Sequence, residues 1–185
     1  LKSRALKNFI LYNRIMDENT GNSSYLVDLP DGGLAWLIGN EIQQGEKTEN
    51  YALISYGTNY RNHPINGFYV INSTIVNQRK NGGVFVVNAS PLIDVRIANN
   101  IMAGRGTVLQ GKGAAKRNLT EIDPKFTDIN QYEYTLTSTS RARNKAIVPG
   151  SAHGQDLTPK FEYIHPLRSR ARRSDAQLDI GAHEY

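Results

Sequence analysis

The chain of 185 residues contains no cysteine. Disulfides and thiolate metal sites are therefore excluded, and packing and hydrogen bonding must hold the fold. The absence permits an oxidising compartment without requiring one. No run approaches the ~18 apolar residues that a membrane-spanning helix needs, so no membrane partner is expected. The four histidines, at 63, 153, 165 and 183, lack metal-ligand spacing. The acidic residues form no EF-hand-like loop, so the sequence yields no metal site. Helical periodicity of any length is missing between the apolar segments, which argues against a doubly wound α/β sheet. No basic stretch followed by an apolar one, as in a signal peptide, follows Leu1.

What is present is ordinary for a soluble domain: 39% hydrophobic and 21% charged residues. Sixteen glycines and many asparagines lean toward a turn-rich β protein. The net charge of +5 favours an anionic partner.

A repeat runs through the first part of the chain. Phe9–Ile15, Trp36–Ile42, Tyr69–Ile75 and Val95–Ile101 align, with matching residues at every second position. The columns read Phe9, Trp36, Tyr69, Val95; then Leu11, Ile38, Ile71, Ile97; then Asn13, Asn40, Ser73, Asn99; then Ile15, Ile42, Ile75, Ile101. Period two marks a strand with one face inward. Ile10, Leu37, Val70 and Arg96 are then expected to face outward, followed by Arg14, Glu41, Thr74 and Asn100.

Asn13 to Asn40 is 27 residues, Asn40 to Ser73 is 33 and Ser73 to Asn99 is 26. A second strand per unit sets Leu26, Leu53, Val86 and Val108 inward, then polar Asp28, Ser55, Asn88 and Gln110. One such coil cannot bury its apolar face alone, whereas coils stacked at ~4.8 Å build a continuous core. Asparagine suits the bend between strands, because it tolerates left-handed geometry and its amide can bond to the next coil.

These features predict an all-β, right-handed parallel β-helix: a single-stranded solenoid of about four coils over residues 1–113. Residues 114–185, with Pro124, Pro149, Pro159 and Pro166, are expected to form a loop-rich C-terminal extension packing on it. An open first coil would expose an unpaired edge. The expected cover is a missing N-terminal part of the same protein or a second chain.

The stretch Ile97–Ile101 resembles the repeat of the pectate-lyase-like superfamily of right-handed parallel β-helices. The ending Asp179–Tyr185 is similar to the Asp-Ile-Gly-Ala-Tyr-Glu ending of secreted bacterial members, and Asp123–Asp128 to the Asp-Pro-x-Phe segment before it. One departure is Asn144–Gly150, which keeps Ala146, Ile147 and Gly150 but lacks the Pro and Asp of the family's Ser-Pro-Ala-Ile-Asp-x-Gly. The resemblance implies a secreted or periplasmic bacterial protein that binds or cuts polysaccharide. Its most concrete form is a lyase or hydrolase acting on an acidic, uronate-containing glycan. The alternative is a non-catalytic carbohydrate-binding or adhesin-type module without a convergent charged cluster. In lyases of this fold a cation, calcium or Arg, neutralises the uronate and a basic residue takes the proton.

Arg79 and Lys80 form the best basic pair, with His63 as a further candidate base. For substrate binding, Tyr56 and Tyr60 are suited to stack on sugar rings, and Arg61 to pair with a carboxylate as a fork. Arg96, outward on its strand, and Arg105, after the fourth segment, complete the set. The competing reading makes Tyr56–Pro64 a solvated loop and Arg79–Lys80 a charged turn. The run Arg168–Arg173 reads as a solvated loop rather than a nucleic-acid patch, since aromatics are not interleaved with it.

Overall fold

Between its first and second strands each coil bends at a residue with left-handed backbone: Tyr12 (φ 57°), Gly39 (66°), Asn72 (44°), Asn99 (58°) and Arg117 (54°). At Gly39 no side chain would fit, because a Cβ there would lie 2.6 Å from Tyr12 Cδ1. The bend restarts the alternation of side chains, so inward residues before and after it do not share one period of two. The computed structural model describes residues 1–61, 63–173 and 177–185.

The strands follow in coil order. The first coil holds β1 (Lys7–Leu11), β2 (Arg14–Met16) and β3 (Val27–Leu29). The second holds β4 (Leu34–Ile38), β5 (Glu41–Gln44) and β6 (Ala52–Tyr56). The third holds β7 (Gly67–Ile71), β8 (Thr74–Asn77) and β9 (Val84–Asn88). The fourth holds β10 (Val95–Ala98), β11 (Ile101–Gly104) and β12 (Thr107–Gln110), and β13 (Ala114–Lys116) and β14 (Leu119–Glu121) begin a fifth. They form three parallel sheets, ordered β1-β4-β7-β10-β13, β2-β5-β8-β11-β14 and β3-β6-β9-β12. The chain is thus all-β, and its stacked parallel sheets are consistent with a β-helix or solenoid. Parallel pairing continues through Glu121, past the expected end of the repeat at 113.

Ile10, Leu37, Val70 and Ile97 lie in the central core with Ile42, Ile75 and Met102. Burial of such side chains contributes roughly 1.5–3 kcal/mol each. Three expectations are corrected here. Trp36, Ile38, Tyr69 and Ile71 face outward, against the tail, while Ile10, Leu37 and Val70 face inward. In the fourth coil the register is one residue later: Arg96 pairs with Tyr69, Ala98 with Ile71 and Met102 with Ile75. Val86 aligns with Ile54 and Leu109 rather than Leu53 and Val108.

The polar column at the bend is a hydrogen-bonded ladder of Asn13, Asn40, Ser73, Asn100 and Asn118. Asn100, not Asn99, is its fourth member. Asn99 instead points outward, donating to Asn72 Oδ1 (3.2 Å) and Ile147 O (2.7 Å).

Among the described residues, the rest of the chain contains three antiparallel hairpins: β15 (Phe126–Asp128) with β16 (Glu133–Leu136), β17 (Ser151–Ala152) with β18 (Gln155–Asp156), and β19 (Phe161–Ile164) with β20 (Arg168–Ala171). They cover the outer faces of the first two sheets. Ala152 and Leu157 bury Trp36, Ile38, Tyr69 and Ile71, and Tyr134, Leu136 and Ile180 bury Val76 and Ile101. A stack of parallel sheets whose outer faces are as apolar as its interior needs such a cover.

Candidate functional site

The outward residues just after the bend, Arg14, Glu41, Thr74 and Ile101, stand in one register across four coils. The C-terminal residues cross this row strand by strand. Gly181 sits against Ile101, Ala182 N–H donates to Thr74 Oγ1 (3.1 Å), and His183 Nε2 meets Glu41 Oε1 at 2.5 Å. Arg14, next in the row, is left as the floor of an open pocket of about 440 Å³. The β15–β16 hairpin supplies Tyr132, Glu133 and Thr135 as one wall, and the β19–β20 hairpin supplies Tyr163, His165 and Arg170 as the other.

Below the floor lies a buried charged network. His183 is held between Glu41 and Glu162, its Nδ1 lying 3.9 Å from Glu162 Oε2. Burial alone would lower its pKa; the two flanking carboxylates, Glu162 and the hydrogen-bonded Glu41, outweigh that and raise it to about 9. Glu162 accepts from Arg170 Nε (2.8 Å) and Glu184 N (2.6 Å). Its burial would raise its pKa, but the His183 ring beside it and bonds from Glu184 N–H and Arg170 lower it to about 2. At neutral pH His183 is therefore an imidazolium. Arg172 is sealed beside it, donating to Glu184 Oε2 (2.7 Å) and to the carbonyls of Gly181 and Asp179. The run 168–173 is thus not a solvated loop: Arg168 and Arg170 lie on β20, and Arg172 is buried.

Glu41 Oε2, His183 Nδ1, Tyr132 Oη and Tyr134 Oη are buried without hydrogen-bond partners. Burial raises the pKa of both tyrosines, so both phenols stay protonated. The groups that reach solvent are Arg14 and Tyr163 (both half-buried), with Glu133, His165 and Arg170 exposed. This set can receive an anionic, hydroxyl-rich ligand: guanidinium groups for a carboxylate, a ring face for a sugar.

The residues singled out in the sequence do not converge here. Tyr56 is fully buried, stacks on Phe68 with ring centroids 4.6 Å apart and donates to Gly33 O (2.6 Å). It is a core residue that no sugar can reach, which corrects the expected stacking role. Tyr60 is half-buried. Arg61 and Arg4 both pair with Asp31, which ties the loop after β6 to the coil below. Asn62 of that loop lies outside the described residues. His63 Nε2 is buried without a partner.

Arg79 spends its guanidinium on three carbonyls, Thr48 O (2.8 Å), Gly82 O (2.8 Å) and Glu49 O (3.2 Å). Lys80 is exposed and paired with Glu46. His63 lies at the corner between β6 and β7, Arg79 and Lys80 at that between β8 and β9, so the three candidate bases do not meet. Arg96 lies over the Tyr69 ring at 5.1 Å and donates to Ser151 O (3.1 Å), and Arg105 is exposed at the corner between β11 and β12.

Among the described residues, no group of three or more His, Asp or Glu side chains is arranged to hold a metal ion. Sequence reasoning placed Arg14 and Glu41 outward in one column. It missed His183, Glu162 and the two hairpins, because the ending carried no signal of where it would dock. No family model, curated protein or solved structure matches the chain.

Proposed function

We propose that the chain is a right-handed parallel β-helix protein of the pectate-lyase-like kind. In this reading it works outside the cytoplasm on an acidic, uronate-containing glycan. One observation carries the reading. Arg14, Arg170 and His165 converge with Tyr163 and Tyr132 on one open pocket, above the Glu41–His183–Glu162 network. Arg14 and Arg170 each face a buried carboxylate, Glu41 and Glu162, and turn their remaining guanidinium N–H groups toward this pocket in this reading. The net charge of +5 adds attraction for a polyanion. In this assignment Arg14 and Arg170 neutralise the uronate carboxylate and Tyr163 carries a ring.

Turnover, as a lyase or hydrolase, is favoured by the two carboxylates and the imidazolium beneath the floor. Binding without turnover is favoured by the sealing of Glu41 Oε2 and His183 Nδ1 from solvent. Incubation with a panel of uronate polysaccharides separates the two. New ultraviolet absorbance marks elimination, and new reducing ends mark hydrolysis. Calorimetric binding with neither signal marks the binding module. Arg14→Ala and Tyr163→Ala should each weaken binding about tenfold, roughly 1.4 kcal/mol. Binding by no member of the panel removes the glycan reading altogether.

A further inference from the structure

The tail seals the outer face of the first sheet over the second and third coils but not beyond them. There Trp36, Ile38, Tyr69 and Ile71 are large and lie under Ala152 and Leu157. One coil further on, the outward positions shrink. Ala98 stands beside Ile71, and Ala114 and Lys116 stand beside Arg96 and Ala98. Above these small side chains the tail leaves a cleft of about 210 Å³, with Ala98 and Ala114 in its floor and Ile147, Val148 and Pro149 as its roof. The roof is pinned from both sides of one peptide unit. Ile147 N–H donates to Asn99 Oδ1 (3.0 Å), and Asn99 Nδ2 donates to Ile147 O (2.7 Å). It is not packed down onto the sheet, for Val148 is 85% exposed. A concave, largely apolar space between fixed walls is the usual form of a small-ligand site.

Charge supplies an independent observation. Between Val95 and Thr120 the chain carries Arg96, Arg105, Lys112, Lys116 and Arg117 and no acidic residue. Between Tyr134 and Gln155 it carries Arg141, Arg143 and Lys145 and again none. These two segments supply every wall of the cleft except Ile71. Two of the cations line it. Arg96 is held in place: its Nη1 donates to Ser151 O (3.1 Å), its Nε faces Asp94 Oδ1 at 3.6 Å and its guanidinium lies over the Tyr69 ring. Its Nη2 has no partner among the described residues. The Asp94 carboxylate is shared, because it also accepts from Tyr69 Oη (2.5 Å) and meets His153 Nε2 (3.3 Å). Lys116 is exposed and pairs with no carboxylate among the described residues. Lysine on an outermost strand such as β13 also guards a sheet edge, but here it is turned onto the rim of an apolar space.

We propose that this cleft binds a small amphipathic carboxylate. The apolar body lies on Ala98 and Ala114 beneath Ile147, and the carboxylate sits between Lys116 and Arg96. Both halves of that description follow from the lining. An inorganic anion would pair with the cations and leave the apolar floor uncovered. A hydrocarbon would cover the floor and leave the cations without a counter-charge. The volume sets the size: it lies below the roughly 300–1,000 Å³ of sites for larger ligands, so a single ring or short acyl group is the fitting body. The cleft is on the outer face of the first sheet, whereas the pocket over Arg14 is on that of the second. The proposal therefore does not rest on the glycan reading.

The test titrates benzoate into the intact, nitrogen-15-labelled chain and follows the backbone amides by NMR. Saturable shifts should centre on Ala98, Ala114 and Val148. Benzamide, which lacks the charge, and acetate, which lacks the ring, should each bind at least tenfold more weakly. Lys116→Gln should weaken benzoate about fivefold. Ala114 is exposed on the outermost strand, so Ala114→Leu should fill the cleft and remove the shifts at Ala98 and Val148 while leaving the melting temperature unchanged. Absence of a saturable shift with benzoate, equal affinity for benzamide, or shifts centred instead on Arg14 and Tyr163 would overturn the proposal. So would full benzoate binding by both variants.

Discussion

His183 Nε2 lies 2.5 Å from Glu41 Oε1, joining the end of the chain to its second coil across 142 positions of sequence. The contact closes the tail over the outer face of the second sheet and gives it a titratable lock. The pKa of His183 is raised from 6.5 to about 9, so its contribution is complete below pH 6.5 and is lost as pH rises through about 9. Glu162, lowered from 4.5 to about 2, works in the opposite sense: its contribution is present above pH 4.5 and is lost as pH falls through about 2. The two together predict a plateau of stability between about pH 4.5 and 6.5. A shift of this size on His183 is worth on the order of 3 kcal/mol. Urea unfolding of the wild type at pH 6 and pH 9.5 should show that loss, and His183→Gln should flatten the difference. An equal slope in the variant would place the alkaline loss elsewhere.

Arg172 and Glu184 are both sealed, with side chains 1% exposed and Nε 2.7 Å from Oε2. Removing one partner leaves an uncompensated buried charge. Arg172→Met should therefore cost roughly 3–5 kcal/mol. Burial already raises the Glu184 pKa despite the arginine, so in Arg172→Met the carboxyl should take up a proton at a still higher pH. Adding Glu184→Gln should recover most of the loss, as read from the urea midpoints of the two single variants and the double variant.

The repeat was legible in the sequence because Asn13, Asn40 and Ser73 recur beside aliphatic residues at coil spacing, and those three do stack. The parity was not. Trp36 and Ile38 alternate as cleanly as Ala35 and Leu37, because the tail buries the outer face and makes both faces apolar. A period of two also cannot be read through Gly39, where the left-handed bend restarts it. The slip in the fourth coil has a local cause: Asn99 and Asn100 are adjacent and identical, and only the ladder distinguishes them. The pocket was half legible. Arg14 and Glu41 share a column that sequence can show. His183 and Glu162 reach it through tertiary folding of a tail with no periodicity of its own.

The ladder itself carries stability that depends on depth. Asn100 is fully buried and satisfies Ser73 N–H and Val70 O. Asn100→Ala leaves both orphaned and should cost about 3 kcal/mol, since each buried unpaired group costs roughly 1–3 kcal/mol. Asn13→Ala leaves groups that water can reach and should be close to neutral. Thermal unfolding of the two variants reads the contrast, and similar losses would mean that the ladder is ornamental.

Arg79 and Lys80 are neighbours in sequence with opposite structural duties, and substitution should separate them. The Arg79 guanidinium bridges the turn at Gly82 to Thr48 and Glu49 of the coil below, clamping two corners of the stack together. Hydrogen bonds from a charged donor contribute about 1.5–3 kcal/mol each when buried and less when partly hydrated, so Arg79→Ala should cost about 2 kcal/mol in total. Lys80 holds only the exposed Glu46, so Lys80→Ala should leave the melting temperature unchanged. If the pair were instead catalytic bases, Lys80→Ala would abolish turnover on any uronate substrate while stability stayed the same. A stability loss at Arg79 with no effect of Lys80 on either measurement assigns the pair to the scaffold and leaves the pocket over Arg14 as the place to look for chemistry.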